Sequence, residues 1–190
     1  INLLDEIAKN NIEIALIIEK ANSKPVFNSS SIKVILLKEK GVFRILELFL
    51  LLLKLNKDNF KKIFVRISQW AALSSIFTSL FTNQKVYFWH SGTTHLLDKE
   101  RVYNLKNFKW FFTSHLPFRF VVKYVTYFVT GPELMVNYYR DNVGVNSRKL
   151  ICLYNDIDLN RFNLLSKFEK TNLKRKFNIS PEKNVILFVH

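Results

Sequence analysis

The sequence predicts an α/β fold, a doubly wound parallel sheet flanked by helices. Short apolar runs rich in β-branched residues alternate with longer segments of helical spacing along the whole chain. Strand 62–68, helix 70–82 and strand 85–90 form a βαβ unit, which requires parallel pairing of its two strands. Hydrophobic residues make up 48% of the sequence, enough for a substantial core.

The first sixty residues predict a helix, two strands and a second helix. Residues 3–9 place apolar side chains on one helical face. The runs IEIALII (12–18) and KVILLK (33–38) are short and β-branched, which is typical of strands. Residues 42–55 are apolar over a length that favours a helix, and the polar residues 56–59 end it.

The second half continues the alternation. Strand 125–130 leads into the sequence TGPE, where Thr130 and Glu133 fit a capping box and Pro132 suits a first helical turn. The helix that follows is expected to end at Gly144, because glycine is typical of helix C-termini. The remaining predicted elements are strand 149–154, a short helix over 171–179 and a strand over 184–189.

The net charge of +14 and a pI of about 9.9 predict anionic partners. Between residues 59 and 132 the only acids are Asp98 and Glu100. The acid-free segment 101–127 interleaves basic residues with aromatic ones, which favours contact with an anionic membrane surface or an acceptor. Its basic residues are Arg101, Lys106, Lys109, Arg119 and Lys123. The alternative is an ordinary buried helix whose lysines are solvated.

Several classes of protein are disfavoured. The single cysteine, Cys152, allows neither an internal disulfide nor a zinc cluster, and its place in a strand predicts a small buried side chain. This usage fits a reducing compartment. No glycine-rich nucleotide-binding motif is present, and no apolar segment is long enough and uncharged enough to span a membrane. The chain begins at Ile1 and stops at His190 within an apolar run, which predicts a fragment.

Three predicted strand ends carry polar or glycine-containing turns: His90–Thr94, Thr130–Pro132 and Asn155–Asp158. Ligands of open α/β sheets bind at the carboxyl ends of the strands. His90 is the best catalytic candidate, because an imidazole can bind a phosphate or a sugar hydroxyl and transfer protons near neutral pH. The alternative is a histidine that only holds its loop. The candidate substrate-binding residues are Ser91, Gly92, Thr93, Thr130 and Gly131.

The segment ICLYNDIDLNRF (151–162) resembles a motif of family 4 glycosyltransferases with the GT-B fold, a strand followed by (P/Y)-N-G-(V/I)-D-x-x-x-F. VYFWHSG (86–92) is similar to that family's strand and histidine loop, and the segment from YFVTG to CLYN is similar to the strand, helix and strand before the motif. The match covers nearly the whole chain in order. Asp156 replaces the usual glycine, and His190 stands where the family's glycine-rich turn would begin.

The resemblance implies the N-terminal, Rossmann-like half of a GT-B enzyme. Residues 1–180 would be an acceptor-binding domain lacking its first strand, and 181–190 the start of the donor domain. The whole enzyme would transfer a sugar from a nucleotide-sugar donor, with retention and without metal or cofactor, while this fragment alone would be inactive. The implied acceptor is lipid-linked or a saccharide. The expected location is cytoplasmic, or peripheral at the cytoplasmic face of the membrane.

The same resemblance gives individual residues their roles. His90 would hold the sugar or the acceptor. Asn155, Asp156 and Asp158 would form an interdomain hinge, since Asn and Asp tolerate left-handed backbone angles.

Two other interpretations stay open at this point. A basic α/β domain with interleaved aromatic residues could bind nucleic acid by stacking, but the aromatic residues here cluster in apolar runs such as KWFF. A GT-B relative that inverts configuration, or that epimerises a sugar nucleotide, would share the same N-terminal half.

Overall fold

A computed structural model of the chain describes residues 2–92, 110–154 and 165–185. The chain divides into two compact units, residues 1–155 and 156–190. The first unit contains all six described strands and five of the six α-helices discussed here.

The six strands predicted between residues 12 and 154 and their parallel pairing are confirmed. The strands are β1 (Ile14–Ile18), β2 (Ile32–Leu36), β3 (Lys62–Arg66), β4 (Lys85–Trp89), β5 (Tyr127–Thr130) and β6 (Leu150–Cys152). β1 and β2 form one parallel sheet. The other four strands form a second parallel sheet in the order β3-β4-β5-β6. Because neighbours in this sheet are also neighbours in the sequence, successive strand ends lie side by side along one edge.

Helices connect these strands. They are α1 (Asn2–Ala8), α2 (Gly41–Lys57), α3 (Gln69–Ser79), α4 (Leu116–Tyr124) and α5 (Glu133–Tyr138). A π-helical turn, Phe111–His115, precedes α4, and another, Tyr139–Val143, extends α5 as far as Gly144. Gly144 has a left-handed backbone (φ 80°), so the predicted glycine C-terminus is confirmed.

The core lies between the four-stranded sheet and a layer of helices in which α3 packs between α2 and α4. Its centre is a set of fully buried phenylalanine and valine side chains, and the phenylalanine rings are in edge-to-face contact. They are Val86, Phe88, Phe118, Val121, Val125 and Phe128. Val86 and Phe88 alternate with more exposed residues along β4, Phe128 lies on β5, and Phe118, Val121 and Val125 come from α4 and its C-terminus.

α3 is confirmed as a helix, but only Ile76 is buried among the apolar residues at helical spacing, which are Trp70, Leu73, Ile76, Phe77, Leu80 and Phe81. The helix buries small and hydroxyl-bearing residues, among them Ala72, Ser75 and Thr78. Phe77 and Leu80, which share the apolar spacing, are exposed. Small residues allow α3 to approach the sheet closely, and the hydroxyls bond backbone carbonyls of the same helix.

Two local expectations are wrong. The Thr130–Glu133 capping box does not form, because Pro132 is the N-cap of α5 and Thr130 belongs to β5. Glu133 instead accepts a hydrogen bond from the hydroxyl of Tyr154. Cys152 is exposed rather than buried, because it is the last residue of β6, which pairs only with β5 among the described strands.

The second unit contributes α6 (Lys167–Lys176), which begins four residues before the predicted 171. Ser166 and Glu169 form a capping box, with the Ser166 backbone N–H donating to Glu169 Oε2 at 2.8 Å. These hydrogen bonds to Ser166 lower the pKa of Glu169. Most of the predicted strand 184–189 lies outside the described residues. Among the helices of the described ranges, none has the length and apolar character needed to cross a bilayer.

Candidate functional site

The sheet order brings two of the three predicted strand ends together. His90 follows β4 directly, and its backbone N–H donates to Val129 O of the neighbouring strand β5 at 3.0 Å. At the next strand, Leu153 N–H donates to Thr130 O at 2.7 Å. The segments His90–Gly92 and Thr130–Gly131 therefore lie side by side at the carboxyl edge of a parallel sheet, where open α/β folds bind ligands.

His90 is held firmly at this edge. Its side chain is buried, with 9% of the residue exposed, between the rings of Phe88, Phe118 and Tyr139. Its Nδ1 lies 2.5 Å from Tyr139 Oη, and the same hydroxyl lies 2.7 Å from the carbonyl oxygen of Gly92. Tyr139 thus connects the histidine to the loop that follows it. One phenol fixes both the ring orientation and the local backbone.

The short contacts assign the proton positions. Tyr139 has one hydroxyl proton, and donating it to Gly92 O leaves Oη as the acceptor for a proton on His90 Nδ1. This arrangement makes both short contacts hydrogen bonds. The longer contact of 3.4 Å, from the Gly92 N–H to His90 Nδ1, is then not a hydrogen bond, because a protonated Nδ1 cannot accept. Burial raises the pKa of Tyr139, with a smaller electrostatic contribution from Tyr138, so the phenol keeps its proton near neutral pH. A proton on Nδ1 makes Nε2 the basic nitrogen of a neutral His90.

The neighbouring strand end is closely packed. A Cβ at Gly131 would overlap the carbonyl oxygen of Leu153, so glycine is needed here for the approach of two backbones. Thr130 is fully buried, and its Oγ1 has no hydrogen-bond partner among the described residues. A buried hydroxyl of this kind is a candidate to form a hydrogen bond with a bound ligand.

The structure describes only some of the remaining predicted site residues. Ser91 is exposed beside His90. The others lie outside the described residues: Thr93, Arg101, Lys106, Lys109, Asn155, Asp156 and Asp158. Arg119 and Lys123 are both exposed on α4, one turn apart, so they lie on the same side of the helix.

The structure adds features at the same edge that the sequence did not single out. The Arg66 guanidinium carbon lies 4.5 Å from the centre of the Trp89 ring, so a cation is held where β3 and β4 end. Ile67, the next residue, has a left-handed backbone (φ 69°), which is costly for a β-branched side chain. Tyr139 was missed as well, because only the strand order shows that it meets His90.

A cavity of about 430 Å³ opens on this side of the fold, near the end of β1 and the first residues of α2 and α3. Arg44 and Glu19 form an ion pair of 3.9 Å in its wall, and Lys20, Ser68 and Trp70 also line it. A tryptophan beside charged and hydroxyl groups offers an apolar surface together with hydrogen-bonding groups. Such a combination suits a sugar-like or phosphorylated molecule.

Comparisons with known proteins support the fold. No protein-family model matches the sequence, and no curated protein sequence matches it. The structure resembles a glycosyltransferase from Rickettsia africae ESF-5, with a TM-score of 0.55 and 13% identity over 93% of this chain and 44% of that one. It also resembles HepE from Anabaena in complex with UDP, with a TM-score of 0.52 and 12% identity over 78% of this chain and 37% of that one.

The chain therefore spans less than half of the length of these two structures. Identities this low establish the fold alone. The parallel α/β architecture expected from the sequence is confirmed, and the chain has a fold found within solved glycosyltransferase structures.

Proposed function

We propose that the chain is the acceptor-binding part of a GT-B glycosyltransferase, one that transfers a hexose from a nucleotide sugar to a lipid-linked or polysaccharide acceptor. The observation that carries the proposal is the His90–Tyr139–Gly92 arrangement at the carboxyl edge of the sheet. A buried histidine with a fixed ring orientation suits a site that must hold a sugar or an acceptor hydroxyl in one position. The fold shared with glycosyltransferases supports the same conclusion.

In this proposal His90 bonds the sugar or the acceptor through Nε2, while Tyr139 holds its Nδ1. The neighbouring loop residues Ser91, Gly92 and Thr93 contact the substrate. The buried hydroxyl of Thr130 and the backbone of Gly131 complete the site from the adjacent strand. The cavity near Arg44 and Trp70 extends the same edge and would receive a further part of the acceptor.

The donor is proposed to be a nucleotide sugar, bound mainly by a second domain. HepE is described in complex with UDP, which supports a uridine nucleotide as the first donor to test. Residues 1–180 would form the acceptor domain and 181–190 the start of the donor domain, with Asn155, Asp156 and Asp158 as the hinge. Among the described strands, β1 pairs only with β2 and β3 only with β4, which supports a domain that lacks a strand between them.

We propose that the full-length enzyme transfers the sugar with retention of configuration and without a metal ion. We also propose that this part of the enzyme is inactive on its own. A place in the synthesis of cell-envelope polysaccharide, at the cytoplasmic face of an anionic membrane, completes the proposal. The basic residues Arg101, Lys106, Lys109, Arg119 and Lys123 would contact that membrane or a charged acceptor. NMR of the anomeric proton in the product tests retention, and activity in excess EDTA tests metal independence.

The central experiment measures sugar transfer by the full-length enzyme and by two His90 variants. His90→Asn keeps a polar group close to the position of Nδ1, toward Tyr139, whereas His90→Gln keeps one close to the position of Nε2. We expect His90→Asn to lower turnover on the order of 100-fold with little change in melting temperature, and His90→Gln to retain more activity. Normal turnover by a well-folded His90→Asn would show that the histidine serves only the structure of its loop.

A further inference from the structure

The outer face of the helix layer shows an unusual distribution of side chains. α3 turns Ser74, Ser75 and Thr78 inward, and each of their hydroxyls bonds a backbone carbonyl, at 3.2, 2.8 and 2.8 Å respectively. The buried face therefore consists mainly of small and hydroxyl-bearing residues, with Ile76 as its one large apolar side chain. Other bulky side chains stay outside, with Phe77 of the helix 53% exposed and Leu80, which follows the helix, 73% exposed.

The apolar residues of α2 extend this exposed area. The Phe49 ring lies 5.3 Å from the ring of Phe77 and 6.4 Å from that of Phe81, so the two helices share one aromatic cluster. Phe43, Leu46 and Leu50 recur along the exposed side of α2 at helical spacing. We call the combined area the α2–α3 apolar surface, and it consists of Phe43, Leu46, Leu50, Phe77, Leu80 and Phe81. Contiguous exposed apolar areas mark contact sites for proteins or membranes.

Basic side chains border this surface on two sides. On the exposed side of α2, Leu50 is followed at helical spacing by the exposed Lys54 and Lys57, four and seven residues later. Beyond α3, the neighbouring helix α4 carries the exposed Arg119 and Lys123. Together with Lys149, these two residues line a cavity of about 500 Å³ that contains no acidic side chain.

Acidic side chains are few near this surface, and the exposed Asp58, the C-cap of α2, stands next to Lys57. α3 and α4 contain no acid. Glu47, the one acid of α2, accepts hydrogen bonds from the backbone N–H groups of Lys38 and Glu39 at 3.0 to 3.1 Å, so its charge is bound to the preceding loop. An apolar area bordered by cations, with almost no opposing charge, is complementary to an anionic lipid surface.

We infer that the α2–α3 apolar surface and its basic border dock on an anionic membrane, with the apolar side chains among the lipid headgroups. This inference rests on the membrane attachment proposed above and adds the apolar residues of α2 and α3 to it, with Arg119 and Lys123 common to both. A second copy of the chain is a less suitable occupant, because two such faces would bring their cationic borders together and the net charge is +14.

Co-sedimentation of the purified protein with vesicles tests the inference. The vesicles contain phosphatidylcholine alone or with about one third phosphatidylglycerol. One variant changes Leu80 and Phe81 to Ser, and a second changes Lys54 and Lys57 to Gln. Leu134→Ser is the matched control, because Leu134 is 75% exposed but lies on α5. All five positions are exposed, so each variant should show the circular dichroism spectrum of a folded protein.

We expect binding to anionic vesicles that weakens in high salt. The lysine variant should bind about 30-fold more weakly, since each basic residue near such a surface contributes roughly 1 kcal/mol. The Leu80/Phe81 variant should lose at least as much affinity, and Leu134→Ser should bind as the wild type does.

Two results would overturn the inference in different ways. Failure of the folded wild type to bind anionic vesicles at low salt would remove the proposed membrane attachment and this surface with it. Wild-type binding that neither variant reduces would leave the attachment in place and assign it to other residues, which charge reversal of Lys106 and Lys109 would then test. A dimer that dissociates in the Leu80/Phe81 variant, seen by analytical ultracentrifugation, would make the surface a contact between protein copies.

Discussion

Replacing Tyr139 with phenylalanine is the most direct test of the site geometry. The side chain is fully buried, and the substitution removes only the hydroxyl that lies 2.5 Å from His90 Nδ1 and 2.7 Å from Gly92 O. Two hydrogen bonds of about 1 kcal/mol each are lost, so the free energy of unfolding should fall by about 2 kcal/mol. In a chain of this size that corresponds to a drop in melting temperature of about 4–8 °C.

Tyr124→Phe is the matched control. It removes the same atom from a side chain that is 53% exposed, and its stability should stay within about 0.5 kcal/mol of the wild type. Thermal and urea unfolding followed by circular dichroism measure both variants. If Tyr139 orients His90, turnover by the full-length enzyme should also fall in Tyr139→Phe, whereas Tyr124→Phe should leave turnover unchanged.

Alkaline pH gives an independent measure of the same contact. Burial raises the pKa of Tyr139 above its ordinary value of 10.0, so the folded state binds the phenolic proton more tightly than the unfolded state. The resulting stability is complete below pH 10 and is lost as the pH rises above that value. The wild type should therefore lose stability more steeply between pH 10 and 11.5 than Tyr139→Phe. Equal slopes would refute the burial of the phenol, and equal melting temperatures at pH 7 would refute the assigned hydrogen bonds.

Three further outcomes are expected. Gly131→Ala should lower the free energy of unfolding by roughly 1–3 kcal/mol, because the new Cβ would overlap the carbonyl oxygen of Leu153. Gly144→Ala places its Cβ in open space and should cost only about 1 kcal/mol, for the left-handed backbone. Equal unfolding midpoints of the two variants in urea would contradict this difference. Cys152 is exposed, so a thiol reagent should label the native protein at a rate within about tenfold of that in denaturant, and strong native protection would show that the thiol is covered. His90→Asn should keep its melting temperature while losing transfer activity, as measured by release of the nucleotide product.

The strands could be predicted from the sequence because β1 to β6 are short apolar runs bounded by polar or glycine-containing turns. The position of His90 followed from the same reasoning, since a residue directly after a parallel strand must lie at the carboxyl edge. The burial of α3 could not be predicted in this way. Apolar spacing identifies a helix with two unlike faces, but the close approach between α3 and the sheet selects the small, hydroxyl-bearing face for burial.

Tyr139 shows a second limit of sequence reasoning. It follows another tyrosine near the end of α5, and helical spacing does not distinguish which ring points toward the site. Its contact with His90 joins residues 49 positions apart and depends on β4 and β5 being neighbours. The proposed hinge residues Asn155, Asp156 and Asp158 lie outside the described ranges, so their role stays a prediction from the family motif.

The unpaired sides of β1 and β3 also bear on the behaviour of the protein in solution. Within the described ranges each strand has a neighbour on one side only, and β1 is apolar along its length. Open strand edges favour pairing between molecules. A net charge of +14 opposes such pairing by mutual repulsion. Since salt shortens the range of that repulsion from about 8 Å at 0.15 M to about 3 Å at 1 M, colloidal stability of the isolated chain should fall as ionic strength rises.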